Sequence, residues 1–267
     1  YREAGLDVEI VKGGPGAPII PQVAGGQMEF GISNADGLLL GRGQDAPVVA
    51  VMAPLQVSPR CIMVHERSGI DDFSELRDMT IAMSNSQPFY HFLRKQVPLE
   101  GVTIVPYQGS VAQFLLDENF AQQAYVFSEP FVARQQGGDP KSLMLADLGF
   151  NPYTSVLFTS EATIHKEAEL VGTMVQASVR GWEQYLASPE KTNRTIHQVN
   201  REMSLEALAY GAATLEPLVR GSVAGKQGIG GMSLARWREL AGQLEEIELL
   251  EPGAVRVEQA FTTEFLK

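Results

Sequence analysis

The sequence has little cysteine, no excess of positive charge and no long apolar run, and each shortage removes a class of protein. Its 267 residues contain one cysteine, Cys61, so an internal disulfide and a thiolate metal cluster are both excluded. Because Cys61 lies in the apolar run Cys61-Ile62-Met63-Val64, a buried core thiol is expected rather than a reactive one. Lysine and arginine number 21 against 32 acidic residues, a formal net charge of −11. Such a surface repels nucleic acid and anionic lipid, and no local basic cluster offsets it. No stretch approaches the ~20 consecutive apolar residues that span a bilayer. His65, His91, His165 and His197 lack metal-ligand spacing, and no Gly-x-Ser-x-Gly elbow, internal repeat or low-complexity tract occurs. No metal, catalytic constellation or cofactor is therefore expected.

What is present suits an α/β protein. Hydrophobic residues at 44% and charged residues at 20% are ordinary globular values, and the length allows two lobes. Gln22 to Pro54 reads as one strand, helix and strand unit. Met28 to Ile32 is a short apolar run, Ser33-Asn34-Ala35-Asp36 can cap a helix, Leu38 to Leu40 continue it, and Gly41 and Gly43 stop it. Pro47 to Met52 returns as a buried strand. Ligands of open α/β sheets sit beyond the carboxyl ends of strands, so Ser33 is where one is first sought.

Elsewhere, Leu6 to Val11 reads as a strand and Gly13 to Pro18 as a tight turn whose prolines remove phosphate-binding donors. Ile19 to Ala24 is a short helix. Arg60 to His65, Met79 to Met83, Thr103 to Val105, Ala124 to Phe127, Leu143 to Leu145 and Ser155 to Thr159 read as strands. Ser68 to Asp78 is a turn with a short capped helix, and helices are expected at Phe89 to Gln96, behind Pro88, and at Val111 to Leu116. The last third is mostly helical: His165 to Leu186, Ser204 to Leu218 and Ser233 to Leu244. The glycine-rich connection from Gly221 to Gly231 reads as mobile.

Three segments, Tyr1-Arg2-Glu3-Ala4-Gly5-Leu6-Asp7-Val8-Glu9-Ile10, Ala24-Gly25-Gly26-Gln27-Met28-Glu29-Phe30-Gly31-Ile32 and Pro47-Val48-Val49-Ala50-Val51, carry a resemblance through their order and spacing. They resemble the opening of periplasmic solute-binding proteins of ABC importers, in the NMT1/THI5-like group that contains sulfonate, taurine and thiamine-pyrimidine binders. Weaker likeness continues to about Thr159. The resemblance implies an α/β, two-lobed fold of the periplasmic binding protein type II class, each lobe a mostly parallel sheet flanked by helices, with a cleft between lobes. Lobe 1 would hold residues 1–78 and 154–267, lobe 2 residues 79–153, with hinge closure about crossings near Asp78 and Pro152. Tyr1 resembles the last turn of a helix, so a signal segment and a first strand, which contributes ligand contacts in such proteins, are expected to be missing ahead of it. The partners implied are a small-molecule solute and an ABC permease in the membrane. A monomer is expected, periplasmic or extracellular and membrane-anchored.

Candidate ligand groups fall in two polar sets at strand ends. Ser33, Asn34, Asp36, Gln56 and Ser58 form one; Ser84, Asn85, Ser86 and Gln87, beside Phe89 and Tyr90, form the other. Each is equally readable as a helix cap. Ser128 and Glu129 follow a strand, and the carboxylate suits an amine or aminopyrimidine donor while opposing sulfonate or nitrate; a capping or solvated glutamate is the alternative. Tyr153 either stacks on a flat ring or packs in the core or hinge. Glu129, Phe89, Tyr90 and Tyr153, with no obvious arginine beside Ser84 to Gln87, favour a thiamine-pyrimidine-like heterocycle. A sulfonate or nitrate binder of the same family is the alternative ligand reading. Two others use the same fold. A ligand-sensing domain is one. A pyrimidine-synthesising enzyme is the other; such relatives use a cysteine-rich segment, lacking here, with a lysine-bound pyridoxal phosphate, for which Lys95 or Lys141 would have to serve.

Overall fold

The computed structural model describes residues 1–14, 16–220 and 228–266. Pro15 of the expected tight turn and residues 221–227 of the expected glycine-rich connection lie outside the described residues. Strands are β1 (Phe30–Ser33), β2 (Val48–Met52), β3 (Arg60–His65), β4 (Thr80–Ala82), β5 (Thr103–Val105), β6 (Phe120–Tyr125), β7 (Pro140–Met144) and β8 (Val156–Ser160). Helices are α1 (Ile19–Ala24), α2 (Ala35–Gly43), α3 (Pro88–Gln96), α4 (Ala112–Leu116), α5 (Glu129–Gln135), α6 (Glu161–Lys166), α7 (Ala168–Ala187), α8 (Glu190–Val199), α9 (Leu205–Arg220) and α10 (Leu234–Glu246). The chain forms two compact units, residues 1–57, 152–187 and 219–267 in the first and 58–151 and 188–218 in the second.

In the first unit, β1, α2 and β2 form the expected strand, helix and strand unit, yet the two strands do not pair with each other. β8 lies between them, antiparallel to both. Every residue of β2 and β8 is buried, which is why Val48 to Met52 and Val156 to Phe158 read as apolar runs rather than alternating ones, with Thr159 and Ser160 following as buried polar residues. Val51, Met52 and Leu157 pack with Val171, Met174 and Val175 of α7. Leu6 to Val11 is not a strand: among the described residues no neighbour supplies a ladder. Leu6 and Val8 pack against the α7 cluster, whereas Ile10 is 84% exposed.

Gly31 has a packing reason. It stands opposite Phe158, and a Cβ there would lie 2.6 Å from the Phe158 ring and 2.8 Å from Cγ2 of Ile19. The aromatic ring fills the space a side chain would take. Gly31→Val is therefore expected to destabilise the protein by roughly 1–3 kcal/mol through overpacking. A urea midpoint equal to wild type would remove this account.

In the second unit the order is β5-β4-β6-β3-β7. β4 pairs in parallel with β5 and β6, while β3 pairs antiparallel with β6 and β7. Each sheet has one reversed strand, β8 in the first unit and β3 in the second; the expected mostly parallel sheet fits the second unit's strand directions, whereas both ladders of the first unit's three-stranded sheet are antiparallel because β8 is inserted between β1 and β2. Because β3 is hydrogen-bonded between β6 and β7, the second unit begins at Ser58, and the expected crossing near Asp78 falls inside it. The chain returns to the first unit at Pro152. Residues 188–218, expected with lobe 1, pack with the second unit instead; they include α8, which the sequence reading passed over, and most of α9. β6 also starts four residues before the expected Ala124. Its Gln122 and Gln123 disguise a buried strand, Gln122 being only 1% exposed. One core layer of this unit contains Cys61, Met63, Ala82, Phe114, Phe120, Ala124 and Ala133.

Candidate functional site

In the second unit, β4, β5 and β6 run the same way, so their carboxyl ends share one edge, the place where open α/β sheets hold ligands. Ser84 follows β4, Tyr107 follows β5, and Phe127, Ser128 and Glu129 follow β6. Reversal of β3 brings its first residue, Arg60, to the same edge, opposite Tyr125. The buried Arg60 guanidinium lies 4.7 Å from the centre of the Phe89 ring and 5.8 Å from that of Tyr125, with Nη2 3.4 Å from the Tyr125 hydroxyl. Sequence reasoning saw no arginine near Ser84 to Gln87. Arg60 is distant in sequence and arrives there only because β3 joins this sheet in reverse.

Glu129 opens α5, and both of its carboxylate oxygens have protein donors. The Tyr107 hydroxyl donates to Oε1 at 2.7 Å, and the Tyr125 backbone N–H donates to Oε2 at 2.9 Å. Burial, followed by this bond and the charge of Glu129, pushes the Tyr107 phenol well above its ordinary range. Glu129 is therefore neither a helix cap nor a solvated acid; it fastens the β5 and β6 ends together. The Phe127 ring stacks on Tyr125 at 5.5 Å between centres.

The capping alternative fails at three positions. Asn34, Gln87 and Ser128 occupy the cap positions of α2, α3 and α5, and none of their side chains makes a capping bond. Asn85, Ser86 and Ser128 are exposed. Ser84 and Ser86 hydroxyls lie 3.2 Å apart, and the Ser84 N–H donates to the Gln123 side chain at 2.7 Å. Tyr90 sits elsewhere. Its hydroxyl accepts from Arg94, and both line a pocket of about 360 Å³ with Val97, Pro98, Leu99, Val102 and Ile104, at the connection into β5 and not at the strand ends.

In the first unit, Ser33 and Asn34 end β1, and Asn34 Oδ1 accepts from the Ser155 N–H at 3.3 Å. Asp36 is buried, its Oδ1 accepting from the Gly37 N–H at 2.9 Å. The expected Gln56 is spent internally: Nε2 donates to the carbonyls of Ala53 and Gly231 at 2.8 and 2.9 Å. Ser58 belongs to the second unit, where its buried N–H donates to Asn151. Tyr153 is 3% exposed, its ring covered by the Arg236 guanidinium at 4.0 Å and its hydroxyl accepting from the Ser233 N–H at 3.0 Å. Of its two readings the structure supports packing, since a covered ring offers no face for stacking. Its carbonyl accepts the Ala35 N–H at 2.9 Å, fixing the start of α2.

Groups for covalent chemistry are poorly disposed. Burial pushes the Cys61 thiol up to about 12, so no thiolate forms at neutral pH. Lys141 pairs with Asp71, which raises its ammonium further, the reverse of what a Schiff-base lysine needs. Among the described residues no cluster of His, Cys, Asp and Glu could hold a metal, and no helix is long and apolar enough to cross a membrane.

A family model described as NMT1/THI5 like matches residues 1–192. The riboflavin-binding protein RibY of Chloroflexus aurantiacus is 28% identical over 247 residues, covering 89% of this chain and 70% of the relative. A formylaminopyrimidine-binding protein of Halalkalibacterium halodurans is 22% identical over 279 residues, covering 98% and 82%. Among solved structures, the alkanesulfonate-binding protein SsuA from Xanthomonas axonopodis pv. citri bound to MOPS aligns with a TM-score of 0.66 at 14% identity, covering 91% of this chain and 83% of that one. The desulfurization enzyme DSZB aligns at 0.68 and 16% identity, covering 99% and 91%. At these identities the solved structures establish the fold, that of two-lobed type II periplasmic binding proteins, and that fold also carries an enzyme.

Proposed function

The chain belongs to the NMT1/THI5-like family, and from that premise we propose that it is the solute-binding component of an ABC-type importer, taking a flat nitrogen-containing heterocycle and delivering it to a membrane permease. The observation that carries this reading is the strand-end edge of the second unit. Tyr125 and Phe127 supply stacked aromatic surface, the Glu129 and Tyr107 pair supplies a rigid polar group, and Ser84, Asn85, Ser86 and Ser128 supply hydroxyl and amide groups not used as helix caps. Such a mixture of aromatic faces and a few fixed polar groups suits a ring with hydrogen-bonding edges. The riboflavin and formylaminopyrimidine relatives bind ligands of that kind. Ser33, Asn34 and Asp36 on the first unit are the second proposed set. The protein works outside the cytoplasmic membrane, as a monomer, and is a binder rather than an enzyme; the buried thiol of Cys61 and the cationic Lys141 support the last point.

One observation favours a second ligand reading. Arg60 removes the reason for setting anions aside, so an alkanesulfonate or a carboxylate-bearing ring remains the competitor.

A thermal-shift panel of riboflavin, formylaminopyrimidine, taurine, an alkanesulfonate, nitrate and amino acids, followed by calorimetry, tests the proposal. A ligand at one hundred times its Kd stabilises by about 2.7 kcal/mol, enough to raise the melting point by several degrees. A flavin or pyrimidine response is expected. A response to sulfonate alone would keep the capture role and discard the heterocycle.

A further inference from the structure

We propose that Tyr210, on α9, is a positioning residue for the ligand loop of the second unit, Val126 to Glu129. The proposal rests on the solute-binding reading only for what the loop holds, and the strut itself is independent of the ligand. The loop connects β6 to α5 and carries Phe127, Ser128 and Glu129. Its amino end is tied to Pro59 through the Val126 N–H at 2.9 Å, and its carboxyl end is held by Glu129. Between them the Val126 carbonyl is met from outside the sheet, by the Tyr210 hydroxyl at 3.2 Å. The Tyr210 ring lies 5.0 Å from that of Phe131 in α5, and the hydroxyl accepts from Arg134 at 3.1 Å, so the phenol is fixed at both face and tip. Gly211 follows it, and a Cβ there would lie in ordinary contact, 3.7 Å from the Phe127 carbonyl. α9 thus runs against the loop backbone over consecutive residues.

These contacts act on the loop, not on the buried core of the unit. No Tyr210 contact described above reaches Phe114, Met63 or Ala82, which form the core layer. Removing the hydroxyl leaves the fold in place and frees a loop that must be ordered to bind. If only a fraction of molecules hold the loop correctly, apparent affinity falls by that fraction, through association rather than dissociation.

The test uses the whole chain with Tyr210→Phe and Arg134→Met. Amide hydrogen exchange in the free protein is read over residues 126–132 and over β3 and β4; association and dissociation rates are read with riboflavin and formylaminopyrimidine. For Tyr210→Phe, loop exchange should quicken about 5-fold, the size of one neutral hydrogen bond, with β3 and β4 unchanged. Association should slow by a similar factor at a constant dissociation rate. Arg134→Met, which leaves the bond to Val126, should give a smaller effect in the same direction. Loop exchange within 2-fold of wild type in Tyr210→Phe, or an equal rise across β3 and β4, overturns the strut. Failure of wild type to bind either probe removes the heterocycle reading while leaving the exchange result to decide the strut.

Discussion

Glu129→Leu is expected to abolish ligand binding and to destabilise the protein by about 3 kcal/mol, while Glu129→Gln does little to stability. Leucine leaves two donors without acceptors, the Tyr107 hydroxyl and the Tyr125 backbone N–H, and each orphaned partly buried group costs roughly 1–3 kcal/mol. Glutamine can keep both contacts. Its carbonyl accepts from Tyr125, its amide donates to Tyr107, and the phenol turns from donor to acceptor. The charge is then gone and the hydrogen bond favours the phenolate, so Tyr107 should titrate closer to its ordinary value.

The sign can be checked at high pH. In the wild type the phenol is raised in the folded state, so its contribution to stability is complete below the ordinary tyrosine value near 10 and is lost as pH rises toward the folded value. Glu129→Gln should weaken that alkaline loss. Ultraviolet titration of tyrosine, with urea denaturation at pH 8 and pH 11, measures both. Equal stability of the leucine and glutamine variants at pH 8 would show that the carboxylate does not hold the two strand ends.

The second large effect lies in the first unit. Trp237→Ala is expected to cost about 3–5 kcal/mol, the range for deleting a large aromatic from a core. Trp237 is fully buried on α10, stacked on Phe261 with centres 5.5 Å apart and tilted against Tyr153 at 6.1 Å. Its loss should loosen Tyr153, and with it the start of α2 that presents Asn34 and Asp36. Trp237→Phe is the informative companion. Among the described residues the buried indole N–H has no acceptor, so replacing it removes an unsatisfied donor while opening a small cavity, and these changes oppose each other. Trp237→Phe should therefore lie within about 1 kcal/mol of wild type. Urea denaturation followed by circular dichroism separates the outcomes, and a cost for phenylalanine close to that for alanine would mean that the indole ring edge is needed for the packing.

Much of this architecture is legible in the chain because local chemistry specifies it. The buried runs Val48 to Met52 and Val156 to Ser160, the Asp72 and Glu75 capping box, Pro88 at the start of α3 and the serines preceding α9 and α10 each act within a few residues, and periodicity or capping reveals them. The ordered family segments also show in the sequence. Where polar residues are buried in a strand, as at Gln122, the local signal misleads. Where a strand is expected without a partner, as at Leu6 to Val11, the signal has nothing to pair with.

The sequence by itself determined the family and the strand and helix inventory of the first unit's central segment. Tertiary structure alone decided which sheet Arg60 to His65 joins, since a strand's partners are chosen by hydrogen bonding across long sequence separations. That choice brings Arg60 to the edge where β4, β5 and β6 end, opposite Tyr125. It also decided that Tyr153 and Gln56 are spent on packing and internal hydrogen bonds, because burial depends on what covers a residue and not on its type. The placement of α9 against Val126 to Phe131 is of the same kind: Tyr210 meets the Val126 carbonyl only because residues 188–218 return to the second unit, and no local pattern marks a tyrosine whose partner lies 84 residues away.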